Sequence, residues 1–149
     1  MKMGLAGGSN FAMLLGLHDL SVGITAARSV LIGEDEVRAF TRLTGDDAPV
    51  HTDETHARSM GYDRQVAHGL LVGSMYSRIL GCELPGPRTV IMKLSLDMLK
   101  PVYIGDTIRY QVTVSRVSEA ARSVMLDLSA TNAIGEQVSR GTAVCLYKR

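Results

Sequence analysis

Ala67-His68-Gly69-Leu70-Leu71-Val72-Gly73-Ser74-Met75-Tyr76-Ser77-Arg78-Ile79-Leu80 is the longest apolar segment of the chain. Its seven large apolar side chains, Leu70, Leu71, Val72, Met75, Tyr76, Ile79 and Leu80, cover most of a helix circumference instead of one stripe. Such a helix has no face to offer water and must be buried on all sides. Gly69, Gly73, Ser74 and Ser77 keep parts of it thin, which permits close approach by a sheet or a ligand.

What buries it follows in the chain. After a loop at Cys82 to Arg88, marked by Pro85, Gly86 and Pro87, the hydrophobic period changes to two. Val90, Met92, Leu94, Leu96 and Met98 alternate with Ile91, Lys93, Ser95, Asp97 and Leu99, which predicts a strand with one buried face. Beyond Pro101 and Gly105-Asp106, Ile108, Tyr110, Val112 and Val114 make a second alternating set. Val124, Leu126, Leu128 and Ala130 make a third, and Val138, Thr142, Val144 and Leu146 a fourth. Short turns at 119–122 and 132–136 favour an antiparallel meander.

Upstream, Ser21 to Ile32 is rich in β-branched and small residues and reads as a strand stopped by Gly33. Glu34-Asp35-Glu36 then places acid in a helix's first turn, with Val37, Phe40 and Leu43 at helical spacing up to Gly45. Thr52 to Met60 reads as a second short helix, capped by Thr52 or Asp53 and ended by Gly61. The expectation is an α+β domain over residues 21–149: one strand, a helical middle with one buried helix, and a four-strand sheet able to wrap it. Residues 1–20 read as a tail whose Phe11, Met13, Leu14 and Leu15 need cover from the domain or a second chain.

A chain of 149 residues, 46% hydrophobic and 21% charged, fits one domain with a proper core. Net charge is +1 with both signs mixed, so no broad field favours nucleic acid or an anionic membrane. No uninterrupted run reaches membrane-spanning length. The apolar run from Phe11 to Leu17 behind Lys2 has a glycine-broken approach and no clear cleavage site, unlike a signal peptide. Cys82 and Cys145, in apolar surroundings without metal-ligand spacing, read as small buried hydrophobes of a reducing, cytoplasmic compartment.

The chemistry concentrates in Thr44-Gly45-Asp46-Asp47-Ala48-Pro49-Val50-His51-Thr52-Asp53, where three carboxylates and a histidine share a turn no core could absorb. Gly45 ends a helix and Pro49 is expected to keep a new one from starting, so Asp46 and His51 are placed on irregular backbone. Two readings stand side by side: a turn-capping Asp with a hydrogen-bonded loop His, or an acid/base pair sharing a water. His51, Asp53 and His56 do not make a metal set, because the histidines are five apart and no third strong ligand accompanies them. At His68-Gly69, His68 reads as a helix cap or a substrate contact. The N–H of Gly69 reads as an uncommitted first-turn donor for a carbonyl oxygen gaining charge. Ser77 reads either as a packing residue or as a ligand contact.

Thr44-Gly45-Asp46-x-x-Pro49-x-His51-x-Asp53, then His68-Gly69 opening a helix, then Lys100-Pro101-Val102-Tyr103-x-Gly105-Asp106 resembles the MaoC-like dehydratases and R-specific enoyl-CoA hydratases of the hot-dog superfamily. The resemblance runs from about Ser21 to Tyr147. It implies a long central helix wrapped by a curved antiparallel sheet, chains paired edge to edge as a homodimer with higher assembly open, and acyl-thioester sites near the dimer interface. It further implies Asp46 and His51 as the catalytic pair, with Gly69 N–H holding the thioester and Ser77 and His68 in the substrate site. Reversible addition of water to a trans-2-enoyl thioester of CoA or acyl carrier protein is the implied reaction, without metal or redox cofactor. Two features depart from the usual pattern: Ala48 stands where the family has asparagine, and Thr44 stands for serine, keeping the hydroxyl. The competing readings are a hot-dog thioesterase, which attacks the carbonyl instead, and a non-catalytic acyl-thioester-binding module.

Overall fold

Alternating apolar residues give five strands here, and the computed structural model, which describes residues 15–148, joins them in one antiparallel sheet. In chain order the elements are β1 (Thr25–Ile32), α1 (Glu34–Thr44), α2 (Pro49–Thr52), α3 (Glu54–Ser59), α4 (Gly69–Ser74), α5 (Tyr76–Cys82), β2 (Thr89–Met98), β3 (Asp106–Ser118), β4 (Ser123–Thr131) and β5 (Gln137–Tyr147). The spatial order is β1-β3-β4-β5-β2. Only β3, β4 and β5 form the expected meander. β2 pairs with β5 at one edge and β1 with β3 at the other, so residues 99–105 cross from the β2 edge to β3, the strand next to the far edge.

The buried face of the sheet carries Ile108, Tyr110, Val112 and Val114 from β3 and Val124, Leu126, Leu128 and Ala130 from β4, as the alternation predicts. In β5 the phase differs from the expected one. Val138 and Ser139 are buried in succession, and Ala143, Cys145 and Tyr147 face the core while Thr142, Val144 and Leu146 do not. Against this face lie Leu71, Val72, Tyr76, Ile79 and Leu80. α5 touches β1, β2 and β3, so the sheet curls around it from both edges. The Tyr76 hydroxyl meets Ser139 Oγ at 3.0 Å and its ring stands edge-on to Tyr110 at 5.0 Å, which pins helix to sheet.

The central helix is not continuous. It runs as α4 and α5 with a joint at Met75, and it begins at Gly69 instead of Ala67. It is also less enclosed than its composition suggests, since Leu70 is 76% exposed. The thin positions do admit the sheet: a Cβ on Gly73 would lie 2.8 Å from Leu96 Cδ1 of β2.

Other expectations shift by a few residues. Ser21 to Ile24 form a turn through Gly23, and the strand starts at Thr25. The 52–60 helix divides at Asp53, which ends α2 and caps α3 by accepting from His56 N. Leu43 falls on the solvent side of α1. Leu15, Leu17 and Leu20 pack on the core, so the last part of the expected tail is covered by the domain itself, whereas Phe11, Met13 and Leu14 lie outside the described residues. Both cysteines are free. Cys145 is buried, which pushes its thiol up to about 11, but Cys82 is exposed at the end of α5, contrary to the expectation.

The largest departure is β2. Its alternation predicts a buried face, yet Val90, Ile91, Met92, Leu94 and Met98 are all substantially exposed. Among the described residues no helix is long and apolar enough to cross a membrane.

Candidate active site

The acidic first turn of α1 is capped by Glu36, whose carboxylate accepts from Gly33 N, and the helix stops at Gly45, which takes the left-handed conformation (φ +76°) that side chains avoid. Asp46 therefore leaves the helix at a sharp angle. Its N–H donates to Thr44 Oγ1 at 3.2 Å, and its Oδ1 accepts from Ala48 N at 3.3 Å in a tight Asx turn. Oδ2 stays uncommitted, and the side chain is about half exposed (49%).

Three residues on, Pro49 does not block a helix but opens one, because its fixed φ suits the first helical position. His51 consequently sits in the single turn α2 and not on irregular backbone. Its Nδ1 lies 2.6 Å from the carbonyl oxygen of Val66. A carbonyl only accepts, so Nδ1 carries the proton and Nε2 presents a lone pair. Val66 is itself held by a bridge to Tyr103 and by its N–H to Val50 O. The Lys100-to-Asp106 motif supplies that bracket. Asp106 Oδ2 accepts from Tyr103 N at 2.9 Å, while Oδ1 accepts from Arg64, whose guanidinium also lies over the Tyr103 ring.

His68 precedes α4 but makes no side-chain cap to it. Its ring turns inward, 2% exposed, with Nε2 2.9 Å from the Asp46 carbonyl oxygen and the ring face 3.8 Å from that of His51. The result brings Asp46, His51 and His68 together, with donor atoms within 4.8 Å of one another. One nitrogen of each imidazole is already committed to a backbone carbonyl, and the free nitrogen of His68 is enclosed. The trio thus fits a hydrogen-bonded unit better than a metal-ligand set. Asp53 is occupied as the cap of α3, its Oδ1 accepting from the backbone N–H of His56.

Gly69 follows directly and is exposed. Its N–H has no acceptor among the described residues, and a Cβ there would meet only Met98 Cγ at 3.6 Å. Ser77 lies on the exposed side of α5, without a hydrogen bond among the described residues. A cavity of about 360 Å³ opens beside His51, floored by Val37, Thr41 and Ile104 and rimmed by Arg38 and Arg42, but Asp46 and Gly69 do not line it. Both are exposed, Gly69 beside Met98 of β2. Arg58, Arg64 and Lys100 are engaged with Glu54, Asp106 and Glu136.

Comparison with known proteins gives a consistent picture. The family model described as MaoC like domain matches residues 18–133. A 3-hydroxybutyryl-CoA dehydratase of Methylorubrum extorquens is 33% identical over 125 residues, covering 84% of this chain and 78% of the relative. An (R)-specific enoyl-CoA hydratase of Aeromonas caviae is 35% identical over 102 residues, covering 68% and 76%. The solved (R)-hydratase of Aeromonas caviae involved in PHA biosynthesis superposes with a TM-score of 0.83 at 32% identity, over 87% of this chain and 98% of that one.

Proposed function

The chain belongs to the MaoC-like domain family, enzymes of the hydratase and dehydratase type on a hot-dog fold, and from that premise we propose that it adds water reversibly to trans-2-enoyl thioesters, giving (R)-3-hydroxyacyl thioesters. The observation that carries this reading is the pairing of a free Asp46 carboxylate oxygen with a His51 whose Nδ1 bond leaves Nε2 basic, beside the uncommitted N–H of Gly69.

In the hydration direction, Asp46 and His51 hold one water between them, a separation that one water bridges readily. His51 Nε2 takes a proton as the hydroxyl oxygen bonds to the β-carbon. The electrons of the double bond move onto the thioester as an enolate, whose oxygen the Gly69 N–H stabilises. The proton then returns to the α-carbon, so water is added with no net change in the enzyme. Ala48 leaves the loop without the family's asparagine, but the Asx turn of Asp46 and the Thr44 hydroxyl brace it with the groups present.

The substrate is an acyl thioester of CoA or of acyl carrier protein, in keeping with the names of the relatives. Ser77 and Gly69 lie on surface that a second chain closes when β2 meets its counterpart, so the reading includes a homodimer. We place the reaction in the cytoplasm, on the ground that Cys82 and Cys145 are both free thiols.

The test follows loss of enoyl absorbance with crotonyl-CoA and longer 2-enoyl-CoAs while a thiol reagent reports CoA release. Asp46→Asn and His51→Ala are each expected to lower kcat by about 100-fold or more. Thiol release without hydration moves the assignment to a thioesterase, and binding without turnover on CoA and carrier-protein substrates alike moves it to a binding module.

A further inference from the structure

His68 is, with Ser139, one of two polar side chains in the core among the described residues. Burying an imidazole is costly unless its nitrogens are bonded, and here only one is: Nε2 meets the Asp46 carbonyl, while Nδ1 is enclosed with no partner. An apolar ring of the same shape would suit the core better. A local rule broken inside a core is a sign of function, and the neighbours of this ring say which one.

It touches every part of the catalytic apparatus. Through Nε2 it fixes the main chain of Asp46, and that nitrogen is also only 4.0 Å from the Asp46 carboxylate. Its face lies against the His51 ring at 3.8 Å with a tilt of 30°, and Phe40 packs on it at 5.0 Å. Its own carbonyl accepts from Val72 N, which starts the helix that presents Gly69. Yet its side chain is shielded, so it is not placed to meet substrate.

We propose that His68 is the positioning residue of the site, a buried strut that sets the distance between Asp46 and His51 by bonding the backbone of one and backing the ring of the other. This rests on the hydratase reading above. It departs from the sequence-based expectation for His68, which was a helix cap or a substrate contact.

Two substitutions separate the parts of the claim. H68F keeps an aromatic face against His51 but has no donor for Asp46 O, whereas H68Q loses the ring and keeps an N–H near the position of Nε2. For H68F, kcat on crotonyl-CoA is expected to fall by about 10- to 100-fold, as for a small misplacement of reacting groups, while KM changes by less than about threefold. H68Q is expected to recover at least about tenfold of that loss, because the bond to Asp46 is the larger constraint. The backbone amide of Asp46 and the ring protons of His51, followed by NMR, should move in H68F, and the Asp46 amide should return towards its wild-type position in H68Q. If H68F does not fold, H68A against H68Q carries the same contrast.

A kcat for H68F within threefold of wild type, a rise in KM with kcat intact, or unmoved Asp46 and His51 resonances would each overturn the assignment. If the wild-type protein hydrates no enoyl thioester, the hydratase reading fails by itself, and the resonances still decide whether His68 positions the pair.

Discussion

Asp46 and His51 stood out in the sequence as candidates, but their spacing suits a turn cap with a loop histidine as well as an acid/base pair, and the family resemblance is what favours the pair. What orients them was not legible. Both imidazoles bond main-chain carbonyls, Val66 O and Asp46 O, and a carbonyl leaves no mark on the sequence because every residue carries one. For the same reason the inward turn of His68 was hidden, since the helix start it precedes suggested a cap. Gly69 separates function from fold at this scale. A methyl group there makes only an ordinary contact with Met98, and alanine favours helix by up to about 1 kcal/mol over glycine. Gly69→Ala should therefore melt at or slightly above the wild-type temperature. It should nonetheless lose about 100-fold in kcat/KM, since the methyl stands beside the N–H proposed to hold the thioester oxygen. Full activity in that variant would remove Gly69 from the mechanism.

At the scale of elements, β3 and β4 were read correctly because each buries one face under a helix of the same chain. The joint at Met75 follows Gly73-Ser74, a pair at which helices kink, and Ser74 Oγ donates to Leu71 O; in the sequence these two residues read only as thin packing positions. In β5 the alternation fails at Val138 and Ser139, where the register against β4 slips between Ala130 and Thr131 and leaves Val138 as the extra residue of a bulge. Gly141 lies opposite Leu96, and a Cβ on it would overlap the Ser95 carbonyl oxygen and press on Leu96. Backbone cannot yield as a side-chain tip does, so Gly141→Ala should cost about 3 kcal/mol in urea unfolding, most of it from loosening β2. A loss below about 1 kcal/mol would show that β2 and β5 can part without strain. Gly73→Ala, which meets only the flexible ends of Leu96 and Met98, is the milder companion.

For the whole molecule, the apolar alternation of β2 was read as one buried face, and periodicity alone cannot say whose surface does the burying. Val90, Ile91, Met92, Leu94 and Met98 form an edge of exposed hydrophobic groups with unpaired backbone, a surface that calls for a partner strand. Sedimentation is expected to give twice the 16.1 kDa chain mass for the wild type, and Leu94→Lys is expected to shift the protein towards monomer with loss of hydration activity. A wild-type monomer that turns over substrate at full rate would rule out the paired site. The connector at 99–105 adds a condition of another kind. It reaches Val66 and Ala67 only after crossing from β2 to β3, where Val102 O accepts from Ala67 N and Ile104 N donates to Gln65 O. The carbonyl that orients His51 is thus braced by a connector anchored at β2 on one side of the sheet and at β3 on the other. A copy in which that connector is not seated lacks the brace behind the Val66 carbonyl, so turnover is expected to appear only as the sheet is completed.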